Sequence, residues 1–204
     1  MIILLSNGIG YASAEKAAFD AALAMAGVEH YNHVLLSSVV PFNSTIIEGV
    51  SPNDIYRERE RLAPSMVDEL LEEHGKIVYS VMAHRTSLSM ASVAGILVSP
   101  NPYAPFIVEA SSTRENDVQE ALISSAKTML RNRMQDYCPE KANTLVVDKE
   151  LREHYNEFII RIARAEKKQG MYSSAVSIAL FIKENTTIAK VVMQDKRTRV
   201  IART

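Results

Sequence analysis

Apolar and polar positions alternate along this chain in patterns that predict a mixture of short strands and amphipathic helices. Met1 to Leu5 is an unbroken apolar run, the mark of a buried strand, and Asn7-Gly8 with Gly10 reads as the turn that stops it. An alanine-rich stretch from Ala14 to Ala26 then carries apolar residues at Ala17, Phe19, Ala21, Leu23 and Ala24. Ser13 offers an N-cap, Glu15 an acid in the first turn and Gly27 a stop, so a helix is predicted here. His33 to Leu36 predicts a second strand, ending at Ser37-Ser38 ahead of Pro41.

The pattern changes from Ile46 to Gly75. Pro52-Asn53-Asp54 can open a helix, and Arg57-Glu58-Arg59-Glu60-Arg61 reads as a solvated face with local ion pairs. Pro64 interrupts it, and Met66, Leu70 and Leu71 form a short amphipathic turn before Gly75. Lys76 to Val98 is rich in Val, Ile, Ser and Thr and predicts two adjoining strands, followed by a loop marked by Pro100, Pro102 and Pro105. Phe106 to Ala110 is a strand with one acid, Glu109, among apolar neighbours. A long helix is predicted from Glu115 to Tyr137, with Val118, Leu122, Ala126, Met129 and Leu130 on one face. The last third predicts strands over Phe158–Ala165, Ala175–Ile182 and Ile188–Met193, with Gln169-Gly170 as a hairpin turn. Helices separated from runs of strands imply α+β layers and not a Rossmann alternation, in a single domain over residues 1–204.

Composition narrows the function classes. With 204 residues and 47% hydrophobic, the chain can bury a sizeable core. Its 23 basic and 24 acidic side chains leave no electrostatic footprint for nucleic acid or an anionic membrane. A single cysteine, Cys138, excludes an internal disulfide framework and any multi-cysteine metal site. No apolar run is long enough to span a bilayer, and the N-terminus lacks the basic start of a signal peptide, so a cytoplasmic protein is expected.

Few residues offer themselves for chemistry. Gly8-Ile9-Gly10 is a fragment of a dinucleotide fingerprint whose third glycine is replaced by Ser13, and a structural turn is the better reading. His30 and His33 have a spacing that can ligate metal on a helix, yet they stand at a strand entrance with no further ligand cluster, so no metal is expected. Cys138, beside Pro139 and acids, reads as a bystander thiol. Ser37-Ser38 at a strand end would ordinarily be turn-forming residues. Asp20 in Ala18-Phe19-Asp20 and Glu109 in its apolar strand are acids of the kind that acquire raised pKa values or specific cationic partners. Both equally suit the solvent face of their elements.

Taken together, these residues resemble a known family. Ala17-Ala18-Phe19-Asp20-Ala21-Ala22-Leu23, Ala26-Gly27 and Asn32-His33-Val34-Leu35-Leu36-Ser37-Ser38-Val39-Val40-Pro41 are similar to the pyruvoyl-dependent arginine decarboxylases. The shared features are an Asn-Ala-Phe-Asp-like helix, a strand, a Ser-Ser cleavage pair and a proline, with the spacing kept. Gly75–Pro100 resembles the family's central strands, Ile107-Val108-Glu109 its catalytic-glutamate strand and Met171–Ile182 its closing strand. Ser6-Asn7-Gly8-Ile9-Gly10, Phe42, a charged insert over 47–73 and a tail beyond Lys183 depart from the pattern.

The resemblance implies a four-layer αββα sandwich that cuts itself between Ser37 and Ser38 into a β chain, 1–37, and an α chain, 38–204. Ser38 would become a covalent pyruvoyl group, with neither pyridoxal phosphate nor metal required. The implied reaction is L-arginine to agmatine and CO2 through a Schiff base, or the same chemistry on another amino acid. An uncleaved binding or scaffold relative is the alternative outside enzymes. By resemblance Glu109 is the proton donor, Asp20 the guanidinium-binding acid, and Asn32 a residue positioning the scissile peptide or the substrate. The family's trimers, with sites at subunit interfaces, imply a homo-oligomer.

Overall fold

The computed structural model describes residues 1–49, 51, 54, 57–58, 60, 62, 64–101, 105–137 and 157–204. Cys138, Pro52, Asn53, Arg59, Arg61 and Pro102 lie outside the described residues. The described chain runs β1 (Ile2–Ala12), α1 (Glu15–Ala26), β2 (Asn32–Leu35), β3 (Thr45–Glu48), α2 (Pro64–Leu71), β4 (Ile77–Leu88), β5 (Ser92–Ser99), β6 (Phe106–Ser112), α3 (Glu115–Tyr137), β7 (Ile159–Ala165), β8 (Tyr172–Ile182), α4 (Thr187–Gln194) and β9 (Arg199–Arg203). The strands form a mixed six-stranded sheet, β2-β4-β8-β1-β3-β9, and an antiparallel three-stranded sheet, β6-β5-β7.

Three apolar layers hold this together, and the period-2 alternation of each strand decides which residue enters which layer. Ile2 and Leu4 of β1 join Val176, Ile178 and Leu180 of β8, Ala22 and Ala26 of α1, and Ile188 and Val192 of α4 on the outer face of the larger sheet. The opposite faces of the same strands supply Ile3, Leu5, Ala175 and Ala179. These meet Val81 and Ala83 of β4, Ala94 and Ile96 of β5, and Ala163 of β7 between the two sheets. Val93, Leu97, Phe106 and Val108 pack against Val118, Leu122, Ala126 and Leu130 of α3 on the far side of the smaller sheet. The order helix, sheet, sheet, helix is the four-layer αββα sandwich expected.

Several local expectations are corrected. Gly8 and Gly10 lie within β1, where a Cβ on Gly8 would stand 1.9 Å from the Ala22 carbonyl oxygen and one on Gly10 2.2 Å from that of Ala18. They let α1 rest directly on the strand and make no turn. α1 begins at Glu15, with Ala14 in the cap position and no side-chain cap, so Ser13 does not cap it; Gly27, at φ 75°, closes it as expected. Pro64 opens α2 in place of interrupting a helix, since the first turn needs no amide from it. Glu58 also pairs with Arg197, far along the chain.

Gly170 does turn the chain, at φ 72°, but it connects β7 of the smaller sheet to β8 of the larger, so no hairpin forms. Ile188–Met193 is helical and not a strand: the Thr186 hydroxyl accepts from the Ala189 amide, and Ile188, Ala189, Val191 and Val192 share the buried face. The strands β3 and β9 were not anticipated. β3 pairs in parallel with β1 and antiparallel with β9, so the tail beyond Lys183 completes the larger sheet.

Candidate active site

β2 is a short strand at one edge of the larger sheet, parallel to the start of β4, with Asn32 opposite Ile77 and Leu35 opposite Ser80. Its root is fixed by local chemistry. The Asn32 side chain donates to the Gly75 carbonyl at 2.5 Å, the Asn32 amide donates to the Lys76 carbonyl and the Gly75 amide to that of His30. His33 has Nε2 3.0 Å from the Val28 carbonyl oxygen and Nδ1 3.3 Å from the Ser80 hydroxyl. Burial holds this imidazole below its ordinary pKa, hence neutral, with Nε2–H donating to Val28.

At the other end of β2 the chain changes sheets. The Leu36 amide donates to the Ser80 carbonyl of β4 at 2.8 Å, the last bond to the larger sheet. Two residues on, the Ser38 carbonyl accepts from the Ile107 amide of β6 at 3.0 Å, Val39 bridges Phe106 and the Val40 amide donates to the Pro105 carbonyl. The Ser37–Ser38 peptide therefore spans the gap between the sheets and is gripped on both sides. Ser37 is exposed and Ser38 half-buried.

Glu109 lies on β6 two residues beyond Ile107, on the same face, about 7 Å along the strand. Ile107 enters the layer between the sheets, so Glu109 projects to that side as well, opposite Ile96 in register. Much of its side chain is open, yet desolvation by its surroundings raises its pKa above the usual carboxylate range. β6 packs over β4, and beyond Ser80 β4 has no strand neighbour on the β2 side among the described residues. The serine pair and Glu109 therefore meet at β6, beside that free edge.

Asp20 stands exposed on α1, next to Phe19, whose ring lies 5.0 Å from that of His84 on the same β4 segment. α1 packs on the outer face of the larger sheet whereas Glu109 projects between the sheets, so within one chain the larger sheet lies between Asp20 and Glu109. Asn32, at the opposite end of β2 from the serines, acts within its own chain on Gly75. The backbone donors of Leu36, Val39 and Ile107 were invisible to sequence reasoning, because an amide carries no side-chain signal.

Elsewhere, a cavity of about 830 Å³ opens beside β3 and β9, where Glu48 pairs with both Arg161 and Arg199. Among the described residues no group of three or more His, Cys, Asp or Glu could hold a metal ion, and no helix is long and apolar enough to cross a membrane.

Residues 2–56 match the model of the family described as pyruvoyl-dependent arginine decarboxylase. This stretch, just over a quarter of the chain, bears out the family resemblance for β1, α1, β2, the serine pair and β3. It includes Asp20, Asn32, Ser37 and Ser38; Glu109 lies beyond it. No curated protein matches the chain.

Proposed function

We propose that this protein is a self-processing pyruvoyl-dependent amino-acid decarboxylase, with L-arginine as substrate and agmatine and CO2 as products. The observation that carries the reading is the Ser37–Ser38 peptide held between two sheets with Glu109 two residues from its anchor on β6. The residues present fit a pyruvoyl group at position 38: the serine is half-buried, its carbonyl is fixed to β6, and the preceding residue is open to solvent. When bound there, such a group supplies an electron sink for loss of CO2 from an α-amino acid.

The chain's own residues supply the rest. After cleavage Ser37 would remain tied to the larger sheet through Leu36, and residue 38 to the smaller sheet through Ile107, so the new terminus stays facing Glu109. Glu109 holds a proton at its carboxyl to a higher pH than an ordinary glutamate, which suits it to protonate the carbon that has lost CO2. Asp20 offers a carboxylate whose two oxygens match the planar fork of a guanidinium. Asn32 is a positioning residue, fixing the root of β2 through Gly75.

We further assign the oligomer to the apolar edge beside the site. Val34 on β2, Leu36 just after it, and Ile77 and Tyr79 at the start of β4 are exposed, past the reach of the smaller sheet. A second copy covering this edge would exclude water from the serine pair and Glu109, in keeping with the trimer with interfacial sites that the family resemblance implies.

Intact mass of the purified protein under denaturing conditions tests the reading. Two chains divided at Ser37–Ser38, the larger with a pyruvoyl end, together with CO2 release from arginine, are expected. A full-length mass that persists on incubation argues for an uncleaved scaffold. Glu109→Gln should keep cleavage and lower turnover at least ~100-fold. Asp20→Ala should raise KM for arginine while leaving cleavage unchanged.

A further inference from the structure

The scissile peptide has a donor of its own. The Val39 amide donates to the Ser37 carbonyl oxygen at 2.8 Å, an i to i+2 bond that closes a γ-turn centred on Ser38. Among the described residues only Asn43 and Ser89 are non-glycine positions with positive φ, so Ser38 has negative φ and the turn is of the inverse, unstrained kind common at strand ends. The carbonyl that accepts this bond is the one a Ser38 hydroxyl would attack. The amide that donates it belongs to the residue directly after the nucleophile, anchored by the Val39–Phe106 bridge and the Ser38–Ile107 hydrogen bond.

From this geometry we infer that the Val39 backbone N–H is the oxyanion donor for self-cleavage, held in place by β6 before the reaction starts. The inference rests on the self-processing reading above and adds to it the group that stabilises the charge. In the step concerned, the Ser38 Oγ forms a bond to the Ser37 carbonyl carbon and the carbonyl π pair moves onto oxygen. That oxygen, now anionic, keeps the hydrogen bond it already had. As it re-forms the double bond, the C–N bond breaks and the nitrogen takes the proton given up by Oγ. The product is an ester with a free amine, an isomer of the starting chain, so no co-reactant is consumed. A neutral carbonyl gains less from this bond than the oxyanion does, and the donor needs no reorganisation to reach it. The grip of Leu36 on β4 and of Ser38 on β6 keeps acceptor and donor in register throughout.

The test follows conversion of pulse-labelled full-length chain to fragments 1–37 and 38–204 after cell-free synthesis. Val39→Ala keeps the amide and should cleave within about threefold of the parent. Val39→Pro removes the N–H, as does an ester at that position made by incorporating the α-hydroxy analogue of valine. Both should slow cleavage about 100-fold, the cost of one oxyanion donor. Should the proline variant fail to fold, the hydroxy analogue decides the question, with circular dichroism and melting temperature confirming its fold. A folded hydroxy-analogue protein that cleaves as fast as the parent overturns the inference while leaving the decarboxylase reading intact. A parent chain that never cleaves overturns the reading itself.

Discussion

The six-stranded sheet is wider than the three-stranded one it packs on, so it overhangs on two flanks, and the two are finished in opposite ways. On the β2–β4 flank the uncovered positions are apolar: Ile77 is 63% and Tyr79 47% exposed, with Val34 and Leu36 beside them. On the β3–β9 flank Val200 is exposed too, but Arg199 and Arg203 stand around it, and Glu48 binds Arg199 of the same sheet and Arg161 of the facing one. The charged flank satisfies itself within the chain and is stable facing water. The apolar flank is left open at these positions, and it is the flank beside which the serine pair and Glu109 lie. An apolar overhang suits burial against the second copy proposed above, whereas ion pairs that close an edge protect it from pairing.

Substitutions can be ranked by how hard they press on this contrast. Ser38→Ala removes the hydroxyl that would attack the chain, and complete loss of the two-fragment mass pattern is expected with the melting temperature unchanged. Ile77→Glu combined with Tyr79→Glu places charge on the apolar flank. Light scattering should show association weakened at least tenfold, about 1.4 kcal/mol, with the fold kept. The same pair of changes should reduce decarboxylation without slowing cleavage if the partner completes only the substrate site.

Glu48→Ala on the other flank leaves Arg161 and Arg199 facing each other. Arg161 is already depressed by burial and by the charge of Arg199. A loss of about 1–2 kcal/mol in denaturant unfolding is expected, with cleavage and association intact. Should this variant abolish assembly, the division of labour between the flanks is wrong.

The smallest effect is one of pH. His33 has a folded-state pKa below its unfolded value, so between the two the unfolded chain binds the proton that the folded chain refuses. Its contribution is present above the unfolded pKa of about 6.5 and declines as pH falls below that, toward the lowered folded pKa. His33→Asn should flatten this limb in melting temperature against pH.

How legible all this was in the sequence varied with the physical cause. α3 was readable to its ends because one face of a long helix repeats Val118, Leu122, Ala126 and Leu130 with nothing to confuse it. α4 was misread because Ile188, Val191 and Val192 are β-branched and its length of 8 residues gives periodicity little room; its Thr186 cap was the better signal. Gly8 and Gly10 carry the usual mark of a turn, and only the arrival of a helix from elsewhere in the chain gives them another reason to be glycine. β3 and β9 are short and irregular in pairing, with a register shift between Ile46 and Ile47, so neither shows alternation long enough to notice.

At the site, the side chains were legible through their combined spacing. The grip on the serine peptide was not, since it is built from amides and carbonyls of Leu36, Ser80, Val39 and Ile107, where any residue but proline would serve as donor. Asn32 shows the limit of spacing from the other direction: its interval to the serines is right, but in its own chain the strand carries it to the far end of β2.

β1 has a consequence of a different kind. It is registered against β8 along its whole length, from Ile2 opposite Ile182 to Ala12 opposite Tyr172, and it pairs on its other side with β3. A peptide of residues 1–37 would thus dock as one central strand, β1, and one edge strand, β2, of a sheet whose other four strands belong to residues 38–204. The topology is that of a split protein: made as two polypeptides in one cell, the halves should find each other and complete the sandwich, and once joined they should exchange only as slowly as the whole sheet opens.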